Sequence, residues 1–176
     1  MRAAYQGAPG AFGHEACRAF LPGCEPVAKP DFPAVVAAVA EGETGRGVLP
    51  LENNEAGDTG ARALIRAAGL ETLAEHWLPV RMHLLALPGV ALEDVRVVAS
   101  HPVALRQCSR LLERLRVRTE AAANTAVAAR DLSARDTAVL ASEAAAAAYG
   151  LTILTRDVHD RPDNATLFAV LARGSA

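Results

Sequence analysis

The stretch Arg2-Ala3-Ala4-Tyr5-Gln6-Gly7-Ala8-Pro9-Gly10-Ala11-Phe12-Gly13-His14-Glu15-Ala16-Cys17-Arg18-Ala19-Phe20 reads as a strand, a flexible turn and a helix in immediate succession. Arg2 to Gln6 is a short apolar run of strand length. Gly7-Ala8-Pro9-Gly10 supplies the turn, and Phe12 to Phe20 reads as a helix ended by Leu21-Pro22-Gly23. Downstream, short apolar runs bounded by Gly or Pro keep alternating with Ala-rich amphipathic stretches. That alternation is the pattern of an α/β protein.

Working outward, Glu25 to Lys29 reads as a second strand, Phe32 to Ala40 as a helix, and Gly47 to Leu51 as a third strand running into Glu52-Asn53-Asn54. Ala61 to Ala68 is helical and closed by Gly69. Leu70 to Leu87 is long and strand-like, broken by Pro79, and reads as an extended crossover. Arg96 to Ala99 is a strand, and Pro102 to Leu115 a single helix with Pro in its first turn, where the missing N–H costs nothing. Val117 to Thr119, Thr125 to Leu132, Thr137 to Ala141, Glu143 to Ala148 and Leu151 to Leu154 continue the alternation, and Leu167 to Ala172 is a closing strand. The low-complexity run Ala144 to Ala148 needs no special reading, because Ala is the best helix former. The expected architecture is two α/β lobes, one over residues 1–78 with a C-terminal return over 158–176, the other over 79–157. A small ligand would bind in the crevice between them.

With 176 residues and 51% hydrophobic content, the chain can bury a sizeable core, which excludes a disordered chain. A net charge of −2 with Arg and Glu interspersed leaves no footprint for nucleic acid. Cys17, Cys24 and Cys108 are too few and too irregularly spaced for a disulfide framework and are expected as reduced thiols. No apolar run approaches a membrane span and the first residues lack a signal-peptide pattern, so a cytoplasmic protein is expected.

Several polar clusters fall at the C-terminal ends of expected strands, where open α/β sheets place their ligands. Gly7-Ala8-Pro9-Gly10 is either a tight turn or an anion cradle of backbone N–H groups. Glu52-Asn53-Asn54 is either a capping turn or a ligand contact. Ser100-His101-Pro102 reads as a cap opening a helix, and a lone His beside Pro is more often structural than catalytic.

Taken in order, these segments resemble one family. Tyr5-Gln6-Gly7-Ala8-Pro9-Gly10-Ala11-Phe12-Gly13-His14-Glu15-Ala16 is similar to the glycine-rich opening of prephenate dehydratases. Val48-Leu49-Pro50-Leu51-Glu52-Asn53-Asn54 resembles that family's Pro-x-Glu-Asn-Ser/Thr segment, and Ser100-His101-Pro102-Val103-Ala104-Leu105-Arg106-Gln107-Cys108 its Ser-His-Pro and Gln-Cys segment. Asn124-Thr125-Ala126, Ala141-Ser142-Glu143-Ala144 and Asn164-Ala165-Thr166-Leu167-Phe168 resemble three more. The resemblance implies a lyase that removes carbon dioxide and the ring hydroxyl of prephenate to give phenylpyruvate, on the route to phenylalanine. It also implies two lobes like a type II periplasmic binding protein, a homodimer, and no cofactor or metal. Residue by residue, Thr166, Asn53 and Gln107 match the catalytic positions, and Glu52, Ser100, Thr125 and Phe168 the substrate-binding ones.

Three positions depart from the family pattern. Leu167 replaces the arginine of the Thr-Arg-Phe motif, Asn54 a hydroxyl residue, and Gly13 another. The chain also stops at Ala176, with no room for the regulatory domain that commonly follows, so feedback control within it is not expected. Two other outcomes stay open: a relative that decarboxylates prephenate without aromatising it, and a non-catalytic binding domain. If residues 166–168 form a strand, Thr166 and Phe168 share one face and Leu167 takes the other.

Overall fold

The computed structural model describes residues 1–174, which divide into two compact units. The first comprises Met1–Ala8, Phe12–Val80 and the chain from Asn164 onward; the second comprises Pro9–Ala11 and Arg81–Asp163. Residues 158–163 thus group with the second unit, where Val158 N–H donates to the Met82 carbonyl and Asp160 N–H to that of Gln107. Pro9–Ala11 group there because the Pro9 carbonyl accepts from the Tyr149 hydroxyl and the Gly10 carbonyl from Ser142 Oγ.

In the first unit the elements are β1 (Arg2–Gln6), α1 (Phe12–Phe20), β2 (Glu25–Lys29), α2 (Phe32–Ala40), β3 (Arg46–Asn53), β4 (Gly57–Asp58), α3 (Ala61–Ala67), β5 (Leu70–Pro79) and, at its C-terminal end, β11 (Ala165–Arg173). Their sheet runs β2-β1-β3-β11-β5, with β4 paired to β3. β1 is parallel to both neighbours, and β11 is antiparallel to β3 and β5. Alternation along β1 divides the sheet's coverings. Ala4 joins a core of Val35, Leu49, Ile65 and Leu171, whereas Tyr5 stacks on His14 of α1. So α1 and α2 cover opposite faces. α2 begins where Asp31 Oδ1 accepts from Ala34 N–H at 2.8 Å, with Pro33 in the first turn. Gly47 lets α2 approach β3, since a Cβ there would meet Val39 Cγ2 at 2.8 Å.

The second unit holds β6 (His83–Ala86), a 3₁₀ turn at Leu92–Asp94, β7 (Val97–Ser100), α4 (Pro102–Gln107), α5 (Ser109–Leu115), β8 (Arg118–Ala121), α6 (Thr125–Asp131), β9 (Thr137–Ala141), α7 (Glu143–Tyr149) and β10 (Thr152–Thr155). Its sheet order is β10-β6-β9-β7-β8, antiparallel from β10 to β9 and parallel from β9 to β8. Leu85 and Val139, paired across β6 and β9, pack with Ala129, Ala145 and Ala146 of α6 and α7. Gly10, at φ +84°, lies against α7, where a Cβ would meet Ala145 Cα at 2.5 Å.

Two expected elements divide. The long run 70–87 becomes β5 in one sheet and β6 in the other. The single helix 102–115 becomes α4 and α5, separated at Cys108 (φ −122°, ψ 29°). Asp160, far along the chain, causes that break. Its carboxylate accepts from Ser109 N–H, Ser109 Oγ and Arg110 N–H at 2.9, 2.7 and 3.2 Å, and its own N–H donates to the Gln107 carbonyl at 2.7 Å. Groups left orphaned at both helix ends thereby find partners.

Candidate active site

In the first unit, β3 and β11 bring Asn53 and Thr166 directly opposite each other. Asn53 Oδ1 accepts from the Glu55 and Ala56 backbone N–H groups at 3.0 and 2.8 Å, which fixes which end of the amide points where. Its Nδ2 is thereby turned toward Asn164 Oδ1 at 2.8 Å, the Ala165 carbonyl at 3.0 Å and Thr166 Oγ1 at 3.0 Å. Two hydrogens serve three acceptors, so one is shared. Thr166 accepts in this bond, and its own hydroxyl hydrogen has no acceptor among the described residues. The side chain is 9% exposed. It is therefore a hydroxyl held in one orientation with a hydrogen to give.

A bulge makes this alignment. Pairing along β11 runs Thr166 with Asn53 and Leu167 with Glu52, then Phe168 with Pro50, so Leu51 is the extra residue on β3. With regular alternation from Leu49, Asn53 would share the face of Leu49 and Leu51, which is the α2 core. The extra residue re-aims it to the Thr166 face. Leu167 takes the opposite face, buried with Ala4, Leu49 and Ile65, as strand alternation requires, while Phe168 is buried on the side of Thr166. Glu52 stands across from Leu167. Its charge helps raise the Arg62 guanidinium pKa, after the larger effect of the hydrogen bond from Arg62 to Glu75.

Asn164 was not among the residues singled out from sequence. It is 2% exposed, bonded to Asn53, and its carbonyl accepts from Val80 N–H at 2.8 Å. The available signal was its place at the head of the segment carrying Thr166.

In the second unit, Gln107 is buried at the end of α4, at the break made by Asp160. Ser100 is fully buried and its Oγ donates to the Leu140 carbonyl at 2.7 Å, tying β7 to β9. Thr125 is the first residue of α6, whose N-cap Asn124 accepts from Ala126 N–H. His101 Nδ1 accepts from Val103 N–H, so it caps α4.

Within the two units, several buried or half-buried titratable groups are biased toward their neutral forms. Burial, then neighbouring arginines, lowers the pKa of His14 and of His101; burial also lowers that of His83. The Cys17 thiol is pushed up to about 12 by burial and by Cys24, which leaves it protonated and unreactive. Among the described residues no group of three or more His, Cys, Asp or Glu side chains is placed to hold a metal, and no helix is long and apolar enough to cross a membrane.

Two units, each a mixed sheet flanked by helices, define the class as a two-sheet α/β fold. A periplasmic substrate-binding protein of an ABC transporter from Coxiella burnetii shares this fold at a TM-score of 0.50 and 13% identity, over 98% of this chain and 84% of that one. The prephenate dehydratase family model matches residues 3–176, and the chain belongs to that family. An arogenate dehydratase/prephenate dehydratase of Arabidopsis thaliana, a chloroplastic protein, is 41% identical over 98% of this chain and 46% of its own length. The crystal structure of prephenate dehydratase from Arthrobacter aurescens in complex with L-Phe matches with a TM-score of 0.90 and 25% identity, over all of this chain and 61% of that chain. The chain thus spans about half the length of the curated relative.

Proposed function

We propose that the chain catalyses the decarboxylative dehydration of prephenate to phenylpyruvate. The observation that carries this reading is the Thr166 hydroxyl, oriented by Asn53 and left with a hydrogen to donate. In the reaction the bond to the leaving carboxylate breaks, its electrons enter the ring as carbon dioxide departs, and the ring C–O bond breaks as the ring becomes aromatic. The departing oxygen leaves as water and needs a proton or a strong hydrogen bond. An alcohol is a poor Brønsted acid, so Thr166 acts as a positioned donor to that oxygen, and solvent supplies the net proton. On this reading Asn53 and Gln107 contribute neutral amides to substrate binding, and Glu52, Ser100, Thr125 and Phe168 are further substrate-binding residues. Ser100 and Phe168 act chiefly by shaping the site, since one is bonded to backbone and both are buried.

The reading also has the chain acting as a homodimer in the cytoplasm, where its three free cysteines stay reduced. Leu73 and Trp77, 45% and 49% exposed on the outer strand β5, are apolar surface that a dimer would bury.

The test supplies the purified chain with prephenate and, separately, arogenate, and identifies the products. Phenylpyruvate from prephenate is expected, and Thr166→Ala should lower turnover about 10²- to 10⁴-fold, the usual worth of a positioned donor. A dihydro-hydroxyphenylpyruvate would instead make the chain a non-aromatising decarboxylase. Unchanged substrate that still binds would make it a binding domain.

A further inference from the structure

α5 carries Arg110 and Arg114 one turn apart, on the same side of the helix. Both are exposed, and neither guanidinium has a hydrogen-bond or ion-pair partner among the described residues. With the segment 155–160 they line a depression of about 250 Å³ within the second unit. His159 faces it from that segment. Its Nδ1 accepts from Met82 N–H at 3.4 Å, so the neutral ring carries its proton on Nε2, as a donor.

The other charged groups at the rim are already engaged. Arg156 pairs with Glu143 at 2.9 Å, and Asp157 with Arg81 at 3.3 Å. The Asp160 carboxylate takes the three donors that open α5. Arg110 and Arg114 remain as unpartnered cations. They line one small volume together with His159 and the half-buried Thr155, which bring an imidazole and a hydroxyl to the same depression.

We propose that this depression binds the phosphoryl group of a small, hydroxylated phosphomonoester. Two guanidinium forks and an imidazole N–H match the several acceptor oxygens of a phosphoryl group better than the two of a carboxylate. The volume exceeds what a bare oxyanion needs and falls below that of a drug-sized pocket. Its only apolar lining residues, Leu111 and Val158, are buried, which leaves little to receive a hydrocarbon body and favours a polar one. None of these residues belongs to the proposed substrate-binding set. The site does border the turn that holds Gln107, because Asp160 bonds to the Gln107 carbonyl as well as to α5.

The intact chain is titrated calorimetrically with glycerol phosphate, inorganic phosphate and acetate, at constant ionic strength so that general screening is held fixed. Saturable binding of one glycerol phosphate per chain is expected, tighter than inorganic phosphate and much tighter than acetate. Arg110→Ala and Arg114→Ala should each weaken it about tenfold or more, as loss of a charged hydrogen-bond donor does. Arg118→Ala, which removes an exposed arginine on β8, should leave it unchanged. The two α5 variants should keep the parent's circular dichroism and its turnover of prephenate. Absence of saturable binding, an equal loss in Arg118→Ala, or acetate binding as tightly as phosphate would each overturn the site. Equal affinity for the two phosphates would overturn the ester half of the proposal. Because the readout is binding, a chain inactive toward prephenate could still pass or fail it.

Discussion

Leu167 stands where the motif it resembles carries arginine, and its surroundings show what that exchange touches. It packs into the core beneath α2 and α3, and across the ladder it meets Glu52. An arginine at 167 would therefore stand beside that carboxylate, not beside Thr166. In this chain Arg62, anchored by Glu75 at 2.8 Å, is close enough to Glu52 to feel its charge. The carboxylate keeps a cation nearby while Leu167 adds apolar burial. Leu167→Arg is accordingly expected to hold turnover within about tenfold of the parent, a far smaller effect than that of Thr166→Ala. Steady-state assays of both variants for phenylpyruvate make the comparison. An inactive parent restored by Leu167→Arg would mark the natural chain as diverged.

Among the elements, β6 carries a buried titratable group whose state matters to stability. His83 is 3% exposed, and its Nδ1 accepts from Asp157 N–H at 2.9 Å. Burial lowers its pKa below the usual 6.5; Asp157 and Glu143 oppose that shift, and Arg156 and His159 add to it. Between the lowered and the ordinary pKa the unfolded chain binds more protons than the folded one, so stability rises with pH across that interval. The stabilisation from neutral His83 is complete above about pH 6.5 and declines as pH falls toward its folded value. Urea midpoints measured from about pH 7.5 down to about pH 5, across the ordinary histidine pKa, should fall. In His83→Asn, whose amide oxygen can accept the same N–H, the decline should be shallower. His14 and His101, also lowered, account for a remaining slope. An undiminished slope in the variant would assign the acid sensitivity elsewhere.

At the scale of the molecule, the two units differ in how the chain builds them. The five strands of the second sheet come from one continuous segment, 81–163. The first sheet is incomplete until β11 arrives and bonds to β3 on one side and β5 on the other. β11 also brings Leu167, Ala169 and Leu171 into the core. A chain ended after Asp163 should therefore leave β3 and β5 with open edges and a gap in the core. Amide exchange is expected to show protection retained in β6, β7 and β9 and lost in β1, β3 and β5. Protected β1 and β3 amides in the shortened chain would contradict this.

Much of the architecture was legible because it is written locally. β1, α1, β2, α2 and β9 fall at the expected residues, since their apolar periods, Gly/Pro boundaries and caps lie within each segment. The ordered motifs likewise sufficed for the family: Asn53 stood out as a polar residue following an apolar strand, and Thr166 through the resemblance of its segment to the family's motif. What the sequence could not decide depends on partners far along the chain. Asp160 divides one expected helix into α4 and α5 by satisfying backbone groups that a continuous helix would have paired internally. The bulge at Leu51 exists only against β11, more than a hundred residues away, and regular alternation would have turned Asn53 into the core. Local pattern therefore determined which segments became strands and helices. Only long-range pairing decided that Asn53 would face Thr166, because a side chain's face is set by the register with its neighbouring strand.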